Sequence, residues 1–313
     1  MTKKILKLIC GAGNEDFEEI EKLSFIYASA GFNMIDTSAK IKSIQAVKSG
    51  IKKAGKENEV SVCVSIGLGE DIHLSKAVID NKKCIKCKNC MKICERNAII
   101  FKDEEMLIDE KRCIGCSKCI KACSHEAIMS CHKNNSPREM LLAILGENID
   151  CVEFHCTSEN ESLILNSWKE IKSIYNGQLS ICLNRLKFGD EKIINLLKQM
   201  VNNDKNIIIQ ADGNPMSGNL NDYKSNLQTV AFGELIRNSQ INAILILSGG
   251  TNEKTSEFAK ICDVNINGAA IGSFARKLVK EYTNTKNFWD NETIIKKAVK
   301  KAETLSKSLL LYL

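Results

Sequence analysis

Two observations predict an α/β protein whose body is a (β/α)8 barrel of the TIM-barrel class. Short apolar runs alternate eight times with stretches of helical periodicity along the 313 residues, which indicates parallel strands joined by helices. Residues 81–132 interrupt this alternation once, and removing them leaves about 260 residues, close to the roughly 250 of a typical barrel. An open doubly wound sheet is the alternative fold, but eight regular units favour the closed form.

Three strand–helix units are predicted before the interruption. A short apolar run over 6–13 ends in Gly-Ala-Gly-Asn, which is typical of a buried strand that opens into a loop. Apolar positions then recur at helical spacing over 15–30, and Gly31 is a natural helix stop. A second strand over 32–37, a helix over 44–54 and a third strand over 60–66 follow.

The alternation resumes at Ser136, where Ser-Pro-Arg-Glu predicts a capping box with proline at the first helical position. Five strands are predicted over 150–156, 178–184, 206–211, 242–248 and 267–272, and helices over 136–146, 160–175, 190–202, 226–238, 253–262, 274–282 and 292–312. The predicted domains are a first barrel part over 1–80, an insert over 81–132, and a second barrel part with the C-terminal helix over 133–313. The insert would follow the third strand, on the face where such barrels place their active sites.

The insert carries the pattern C-x2-C-x2-C-x3-C twice, from Cys84 to Cys94 and from Cys113 to Cys123. A tight turn with cysteine at every third position supplies three thiolates to a [4Fe–4S] cluster, and in two-cluster ferredoxins the fourth thiolate comes from the other half. The motif therefore predicts two [4Fe–4S] clusters in an α+β, ferredoxin-like domain. The predicted quartets of ligands are Cys84, Cys87, Cys90 and Cys123, and Cys113, Cys116, Cys119 and Cys94.

Two other uses of cysteine fit this motif less well. Structural zinc sites use paired C-x2-C units rather than two runs of four, and a disulfide framework requires a secreted chain. The proline that usually follows the fourth cysteine is replaced by Glu95 in the first half and by Ser124 in the second. This departure removes no ligand, but we expect it to relax the local turn and to change the access of solvent to the clusters.

The composition is that of an ordinary globular protein, with 44% apolar and 26% charged residues. The net charge of +6 comes from lysines spread along the chain, so we predict no nucleic-acid partner. Fifteen cysteines indicate a reducing compartment, and no apolar run reaches the length of a membrane span. We therefore expect a cytoplasmic protein without a membrane partner.

The ends of the last two predicted strands are rich in glycine. The seventh strand ends in Ser-Gly-Gly-Thr-Asn, and the eighth ends in Ile-Gly-Ser directly before a helix. Barrels of this class bind phosphate with the loops after strands seven and eight and a helix N-terminus. Gly249, Gly250, Thr251, Gly272 and Ser273 are therefore candidate phosphate-binding residues, unless these glycines only form tight turns. FMN is the expected cofactor for such a site, because a flavin exchanges single electrons with a cluster and electron pairs with an organic substrate.

Polar residues stand at the ends of several predicted strands, namely Asp36, Glu153, His155, Asn184, Arg185, Gln210 and Asp212. Such positions are catalytic more often than structural, and the catalytic candidates are Asp36, His155, Arg185 and Asp212. Asp36 or Glu153 could equally pair with Arg185 as a structural tie. Cys156 follows His155 directly, and because adjacent strand residues face opposite sides, Cys156 is interpreted as a core residue.

Several segments carry a resemblance to a known family. They are K-L-I-C-G-A-G over 7–13, A-G-F-N-M-I-D over 30–36, G-E-D-I-H-L-S-K-A over 69–77, Q-A-D-G-N-P-M-S-G over 210–218 and S-G-G-T-N over 248–252, together with the paired cysteine runs. With these segments the chain resembles the LdpA family, the iron–sulfur light-dependent period proteins, over most of its length. The resemblance implies an iron–sulfur protein that responds to cellular redox state, and in cyanobacteria the family passes redox information to the circadian clock.

The main hypothesis is therefore an iron–sulfur protein that acts in electron transfer or redox sensing, with a redox partner protein or a small redox molecule as its partner. The alternative is an oxidoreductase that binds FMN or a phosphorylated substrate beneath the clusters, with Asp212 and the 212–219 loop lining the pocket. A third possibility is a scaffold in which the clusters only hold the insert together.

Overall fold

The computed structural model of the chain describes residues 4–11, 13–68, 75–132, 136–185, 188–213 and 223–313. The strands are β1 (Ile5–Ile9), β2 (Met34–Ser38), β3 (Ser61–Gly67), β4 (Ser75–Ile79), β5 (Ile99–Lys102), β6 (Glu105–Ile108), β7 (Ile128–His132), β8 (Cys151–Cys156), β9 (Gln178–Asn184), β10 (Ile208–Asp212), β11 (Ile244–Ser248) and β12 (Gly268–Ile271). The helices are α1 (Phe17–Ser29), α2 (Ile41–Lys53), α3 (Asn89–Ile93), α4 (Lys118–Lys121), α5 (Pro137–Leu142), α6 (Glu161–Ile174), α7 (Asp190–Val201), α8 (Tyr223–Asn238), α9 (Thr255–Ile261), α10 (Ser273–Leu278), α11 (Lys280–Thr283) and α12 (Glu292–Leu310).

Eight of these strands form a closed barrel in the order β1-β2-β3-β8-β9-β10-β11-β12, and β12 returns to β1. Every neighbouring pair is parallel, for example Lys7 beside Met34 in β1 and β2, and His155 beside Cys182 in β8 and β9. The predicted (β/α)8 fold is therefore confirmed, and the open doubly wound sheet is excluded.

The cysteine-rich segment lies between β3 and β8. Its strands form two small antiparallel sheets, one of β4 and β7 and the other of β5 and β6. In the first sheet Ser75–Ile79 pairs with Ile128–His132. Strand β4, which precedes the predicted start of the insert at residue 81, therefore belongs to the cysteine-rich unit. Because the segment follows the C-terminal end of β3, it lies at the face of the barrel that carries the βα loops.

Most of the predicted helices are observed with small shifts of their ends. The capping box at Ser136 is present, with Pro137 at the first turn and Glu139 closing the box, but α5 ends at Leu142 rather than at residue 146. The single helix predicted over 274–282 is instead two helices. Val279, with φ −110° and ψ 7°, leaves helical geometry between them and is fully buried.

The apolar core has one layer outside the barrel and a smaller one inside it. Strand residues that point outwards pack against the helices in the large core, for example Leu8, Ile35 and Phe154. Residues of alternate parity point inwards, and six of them form a separate buried cluster in the lumen: Met34, Cys63, Cys151, Ile208, Ile246 and Ala270. This cluster, called the apolar plug below, fills part of the lumen with small and medium-sized side chains. The interiors of barrels of this class are filled by side chains in the same way. Among the described residues, no helix is both long and apolar enough to cross a membrane.

Candidate functional site

The two halves of the cysteine-rich segment repeat one backbone path at an offset of 29 residues. Lys86 and Gly115 occupy the left-handed region, as do Lys88 and Ser117, and as do Asn97 and Glu126. Lysine, serine and glutamate rarely adopt this region, whereas glycine and asparagine adopt it more readily. The repeat of three such positions indicates that each half is shaped to turn its cysteines inwards.

Two cavities lie between the halves, and each is lined by four cysteines. Cys84, Cys87, Cys90 and Cys123 line the first. Cys94, Cys113, Cys116 and Cys119 line the second. Each cavity thus combines three cysteines from one motif with the last cysteine of the other. The structure therefore brings together the same two crossed quartets that the motif predicts.

The cysteines of each quartet are close enough to disfavour one another's thiolate forms when no metal is bound. Burial, together with Cys116, Cys113 and Cys94, raises the pKa of Cys119 to about 11. Burial and the nearby Cys84 and Cys87 likewise raise the pKa of Cys90. Thiolates gathered this closely repel one another unless a cation binds them.

Backbone amides also point at sulfur in both halves. Ala98 N lies 3.3 Å from Cys94 Sγ, and Ala127 N lies 3.4 Å from Cys123 Sγ, at the same offset of the repeat. Ala77 N lies 3.4 Å from Cys113 Sγ. Such N–H···S contacts help to set the potential of an iron–sulfur cluster.

The residues that replace proline after each motif have partners of their own. Glu95 accepts a bond from Lys118 Nζ at 2.8 Å through its side chain and from Lys280 Nζ at 2.7 Å through its carbonyl. Ser124 Oγ lies 3.1 Å from His125 Nδ1. Glu95 therefore ties the first motif both to the second motif and to α11 of the barrel, and its carboxylate is a contact that proline could not provide.

Ion pairs attach the cysteine-rich segment to the loop after β1 and to the start of α1. The Arg96 guanidinium bonds both carboxylate oxygens of Glu19 and also donates to Asn14 Oδ1 at 3.1 Å. Arg112 Nε donates to Asp16 Oδ2 at 3.2 Å. Burial would raise the pKa of Glu19, but the bond and charge of Arg96 outweigh it and lower that pKa.

Lys76 is the buried centre of this attachment. Its Nζ donates to the carbonyls of Gly13, Glu110 and Cys113 at 2.7–2.8 Å and pairs with Glu15 at 3.0 Å. One ammonium thus joins the first barrel loop to the second cysteine motif. Because a buried ammonium requires all its donors to be satisfied, these contacts hold the second motif against the barrel rim.

A second polar site fills the barrel lumen above the apolar plug. Lys7 in β1 is fully buried, and its Nζ lies 2.5 Å from Glu153 Oε2 and 3.0 Å from Gln210 Oε1. Gln210 Nε2 donates to Glu153 Oε1 at 3.0 Å, and Ser180 Oγ donates to Glu153 Oε2 at 2.9 Å. Four strands therefore contribute to one hydrogen-bonded network where barrels usually pack branched aliphatic side chains.

Asp36 completes this network from β2. Its Oδ1 accepts a bond from Ser65 Oγ at 2.7 Å and lies 3.9 Å from Lys7 Nζ. Burial raises the pKa of Asp36 to about 6, with Lys7 opposing the shift and Glu153 adding to it. Burial alone would also raise the pKa of Glu153, but Lys7 and His155 outweigh it and lower that pKa to about 2. The ammonium is therefore shared unequally, with Glu153 as its main partner.

His155 and Cys182 lie on the mouth side of the network. His155 Nε2 is 3.1 Å from Glu153 Oε1, and Gln210 Nε2 is 3.5 Å from Cys182 Sγ. Cys156, by contrast, is buried in the outer core, as predicted. Lys7 was missed from the sequence because it stands within a short apolar run. Its signal was a charged residue at the centre of a strand that would be buried on both faces.

The remaining candidates divide between the mouth and the surface. Asp212 Oδ2 accepts a bond from Asn184 Nδ2 at 3.3 Å at the ends of β10 and β9. Arg185 instead pairs with Asp190 at the start of α7, at 2.6 and 2.8 Å. The structural tie of Arg185 to Asp36 or Glu153 is therefore wrong, because a partner five residues away on the exposed rim holds the guanidinium outside the lumen. Residues 214–219 of the predicted pocket loop lie outside the described residues.

The predicted phosphate-binding residues lie at neighbouring strand ends. Gly249 and Gly250 have φ of +66° and +84°, and a Cβ at Gly249 would lie 2.2 Å from Asp212 Oδ1. Thr251 Oγ1 donates to the carbonyl of Ala270 at 2.6 Å, which links the two glycine-rich ends. Gly272 precedes Ser273 and lies against the Arg276 guanidinium.

Comparison with known proteins agrees with both parts of the structure. A model described as a 4Fe-4S dicluster domain matches residues 83–127. A model described as the light dependent period A C-terminal domain matches residues 143–308, more than half of the chain. The chain belongs to the light dependent period A family. This member of the family is an iron–sulfur protein, and the resemblance predicted from the sequence is confirmed.

Relatives of this family member include light dependent period A of Synechococcus elongatus. That protein is 25% identical over 276 residues, which cover 86% of this chain and 76% of the relative. Among solved structures, the YdjI aldolase from Escherichia coli K12 is similar with a TM-score of 0.52 at 8% identity, covering 98% of this chain and 91% of the aldolase. At that identity the likeness shows the barrel fold alone.

The buried pair of Lys7 and Glu153 can be tested by removing its cation. We expect Lys7→Met to lower the free energy of unfolding by about 3–5 kcal/mol, because Glu153 would remain buried without its main partner. The deficit should shrink as the pH falls, since a carboxyl without that ammonium binds a proton more readily in the folded than in the unfolded chain. Anaerobic urea unfolding at several pH values measures both effects.

Lys301→Met is the matched control, because it breaks the exposed pair with Glu281 at 2.9 Å. Water screens that pair, so only a small change is expected. Equal destabilisation by the two variants would show that the lumen pair has no special weight.

Proposed function

We propose that the protein carries two [4Fe–4S] clusters and uses them in electron transfer or redox sensing. One cluster is held by Cys84, Cys87, Cys90 and Cys123, and the other by Cys113, Cys116, Cys119 and Cys94. The observation that supports this proposal is the lining of the two cavities, each with one complete crossed quartet. When bound, the clusters supply one-electron chemistry, and the chain's own part is to hold the thiolates and to shield the sulfurs.

The number of clusters can be tested by counting iron in variants of the two exposed ligands. Anaerobically prepared protein is expected to contain about eight iron atoms per chain. Cys87→Ser and Cys116→Ser, one in each quartet, should each lower the content to about half. The magnetic coupling between two reduced clusters should disappear from the electron paramagnetic resonance spectrum of both variants.

Cys262→Ser is the control, because this cysteine is exposed on the barrel and lies far from the motifs in sequence. It should keep the full iron content. Four irons in the parent protein, or zinc in place of iron, would reject the two-cluster proposal.

The two motifs differ in their surroundings, which supports a direction for electron flow. The second motif is held to the barrel rim through Lys76 and through Arg112, which precedes its first cysteine. The first motif is more exposed, and Ile85, beside its first cysteine, is 59% exposed. We propose that electrons pass between a partner and the cluster of the first motif, and that the second cluster lies on the barrel side.

The charge around the first motif identifies the kind of partner that fits it. Five exposed lysines lie within eleven residues, with no acidic residue between positions 81 and 94: Lys82, Lys83, Lys86, Lys88 and Lys92. Lys86 lies 3.6 Å from the highly exposed Glu104, and Lys88 lies over the Phe101 ring. A basic rim around an exposed apolar side chain complements a redox protein with an acidic surface, which such charges attract over a Debye length.

Charge reversal tests this docking surface. We expect the triple variant Lys82→Glu, Lys83→Glu and Lys86→Glu to slow cluster reduction by an acidic reduced flavodoxin about tenfold or more at low salt, because attraction becomes repulsion. The difference should fade at high ionic strength. Stopped-flow absorbance of the clusters measures the rate.

The control variant Lys297→Glu, Lys300→Glu and Lys307→Glu has the same net charge but changes exposed positions of α12. Its rate should stay within about twofold of the parent rate. Uncharged photoreduced deazariboflavin should reduce all three proteins equally. A parent rate that does not depend on salt would reject an acidic protein partner and leave a small redox molecule as the donor.

A second candidate function is an oxidoreductase that binds FMN at the glycine-rich strand ends. The observation that favours it is Arg276, whose guanidinium lies between Gly11 and Gly272 and donates to the Ile9 carbonyl at 2.7 Å. Burial and the nearby Arg96 lower the pKa of Arg276 to about 10. A phosphate here would compensate that charge.

Fluorescence titration with FMN tests this candidate. If the protein binds FMN, it should quench the flavin fluorescence with a stoichiometry of one site per chain. Arg276→Gln should weaken FMN binding at least tenfold, because the contact with the phosphate is lost. The control is Lys286→Gln, which removes an exposed cation ten residues later in the sequence. This variant should bind FMN as the parent protein does. Absence of quenching by the parent protein would exclude the flavin and leave the electron-transfer function unchanged.

A further inference from the structure

Three side chains with different metal-binding atoms lie close together in the barrel lumen, outside the cysteine-rich segment. The Glu153 carboxylate, an imidazole nitrogen of His155 and the Cys182 sulfur all lie within 4.8 Å of one another. We propose that these three residues bind a divalent cation of the zinc type, with a fourth position open towards the barrel mouth. The site is separate from the clusters, and it does not depend on their number or on the proposed electron transfer.

Strand register explains why these donors meet. Glu153 and His155 are two residues apart on β8, so both side chains face the lumen. Cys182 on β9 is the direct partner of His155 in the parallel pairing. Two adjacent strands therefore place a carboxylate, an imidazole and a thiol on one small patch of the inner wall.

The donor set matches the ligands that zinc selects. Zinc binds thiolate sulfur at about 2.3 Å and imidazole nitrogen or carboxylate oxygen at about 2.0–2.2 Å, in a tetrahedron. Donors in such a tetrahedron lie roughly 3.5 Å apart by that geometry. His155 Nε2 and Glu153 Oε1 are already 3.1 Å apart. Small side-chain rotations would thus be enough to bring all three donors onto one ion.

The charge balance of the lumen points in the same direction. Asp36 and Glu153 are two carboxylates with at most 1% exposure, and Lys7 is the one buried ammonium that the described lumen residues set against them. Their ionised forms leave one excess negative charge, which is costly in a low-dielectric interior. A dication bound together with the Cys182 thiolate adds one positive charge and makes the site neutral.

Neighbouring groups already orient the ligands. Glu153 Oε2 is held by Lys7 and by Ser180 Oγ, which leaves Oε1 turned towards His155. Gln210 Nε2 contacts both Glu153 Oε1 and Cys182 Sγ. Such outer contacts fix ligand geometry in metal sites. Asn184 and Asp212 lie one step nearer the mouth, where the fourth position would accept water or a substrate oxygen.

Zinc-edge X-ray absorption tests the proposal, because it does not detect the iron of the clusters. The probe is Zn²⁺ added anaerobically to protein with its full iron content. The expected result is one zinc per chain with a single sulfur neighbour at about 2.3 Å and nitrogen or oxygen neighbours at about 2.0–2.1 Å. Cys182→Ser should remove the sulfur neighbour and weaken zinc binding at least tenfold while the iron content is unchanged.

Two further variants keep the test decisive if Cys182→Ser folds poorly. His155→Gln replaces a less buried ligand and should weaken zinc binding to a similar extent. Cys156→Ser, beside His155 but in the outer core, should bind zinc as the parent does. Four sulfur neighbours would place the zinc in the cysteine motifs and overturn the proposal. So would a parent protein that binds no zinc, or zinc binding that both ligand variants leave unchanged.

Discussion

The structure of the cysteine-rich segment depends on one constraint: each group of four cysteines combines three from one motif with the last cysteine of the other. Each cavity needs the last cysteine of the other half, so neither half can assume its final shape alone. The repeated left-handed positions, Lys86 with Gly115 and Lys88 with Ser117, are the backbone cost of turning three thiols towards one point. The segment also buries few apolar side chains, which form a small cluster around Ala98, Ile99 and Met106. A core of this size gives little stability by itself, so metal ligation and the ion pairs to the barrel must supply much of the order.

The barrel shows a different compromise between stability and chemistry. Its lumen contains an ammonium, two carboxylates and an amide where aliphatic packing would be more stable. Every polar atom named in that network has a partner, which limits the cost of burial. Carboxyl groups with shifted pKa values, such as Asp36 and Glu153, are often found at functional sites. The polar layer therefore supports the proposal that the barrel binds a ligand of its own in addition to holding the cysteine-rich segment.

Much of this architecture follows from the sequence because it rests on local patterns. Alternating apolar runs and helical periodicity predicted the closed barrel, and cysteine spacing predicted which thiols share each cavity. The attachments between the two parts could not be predicted in this way. Arg96 and Glu19 are 77 residues apart, and nothing in either local sequence marks them as partners. For Arg185 the sequence suggested a distant partner, Asp36 or Glu153, but the structure shows a local one. The guanidinium pairs with the Asp190 carboxylate, five residues away.

Lys76 shows how these two parts of the molecule are coupled. Its ammonium bonds the carbonyl of Gly13, in the loop that follows the strand of Lys7, and the carbonyl of Cys113, in the second motif. A change of charge on the proposed second cluster would therefore act on an ammonium that also holds the first barrel loop. In a medium of low dielectric constant such a change is weakly screened, and the partners of Lys76 would have to adjust. On the proposed redox function, the contact that orders the cysteine-rich segment would thus also couple its redox state to the mouth of the barrel.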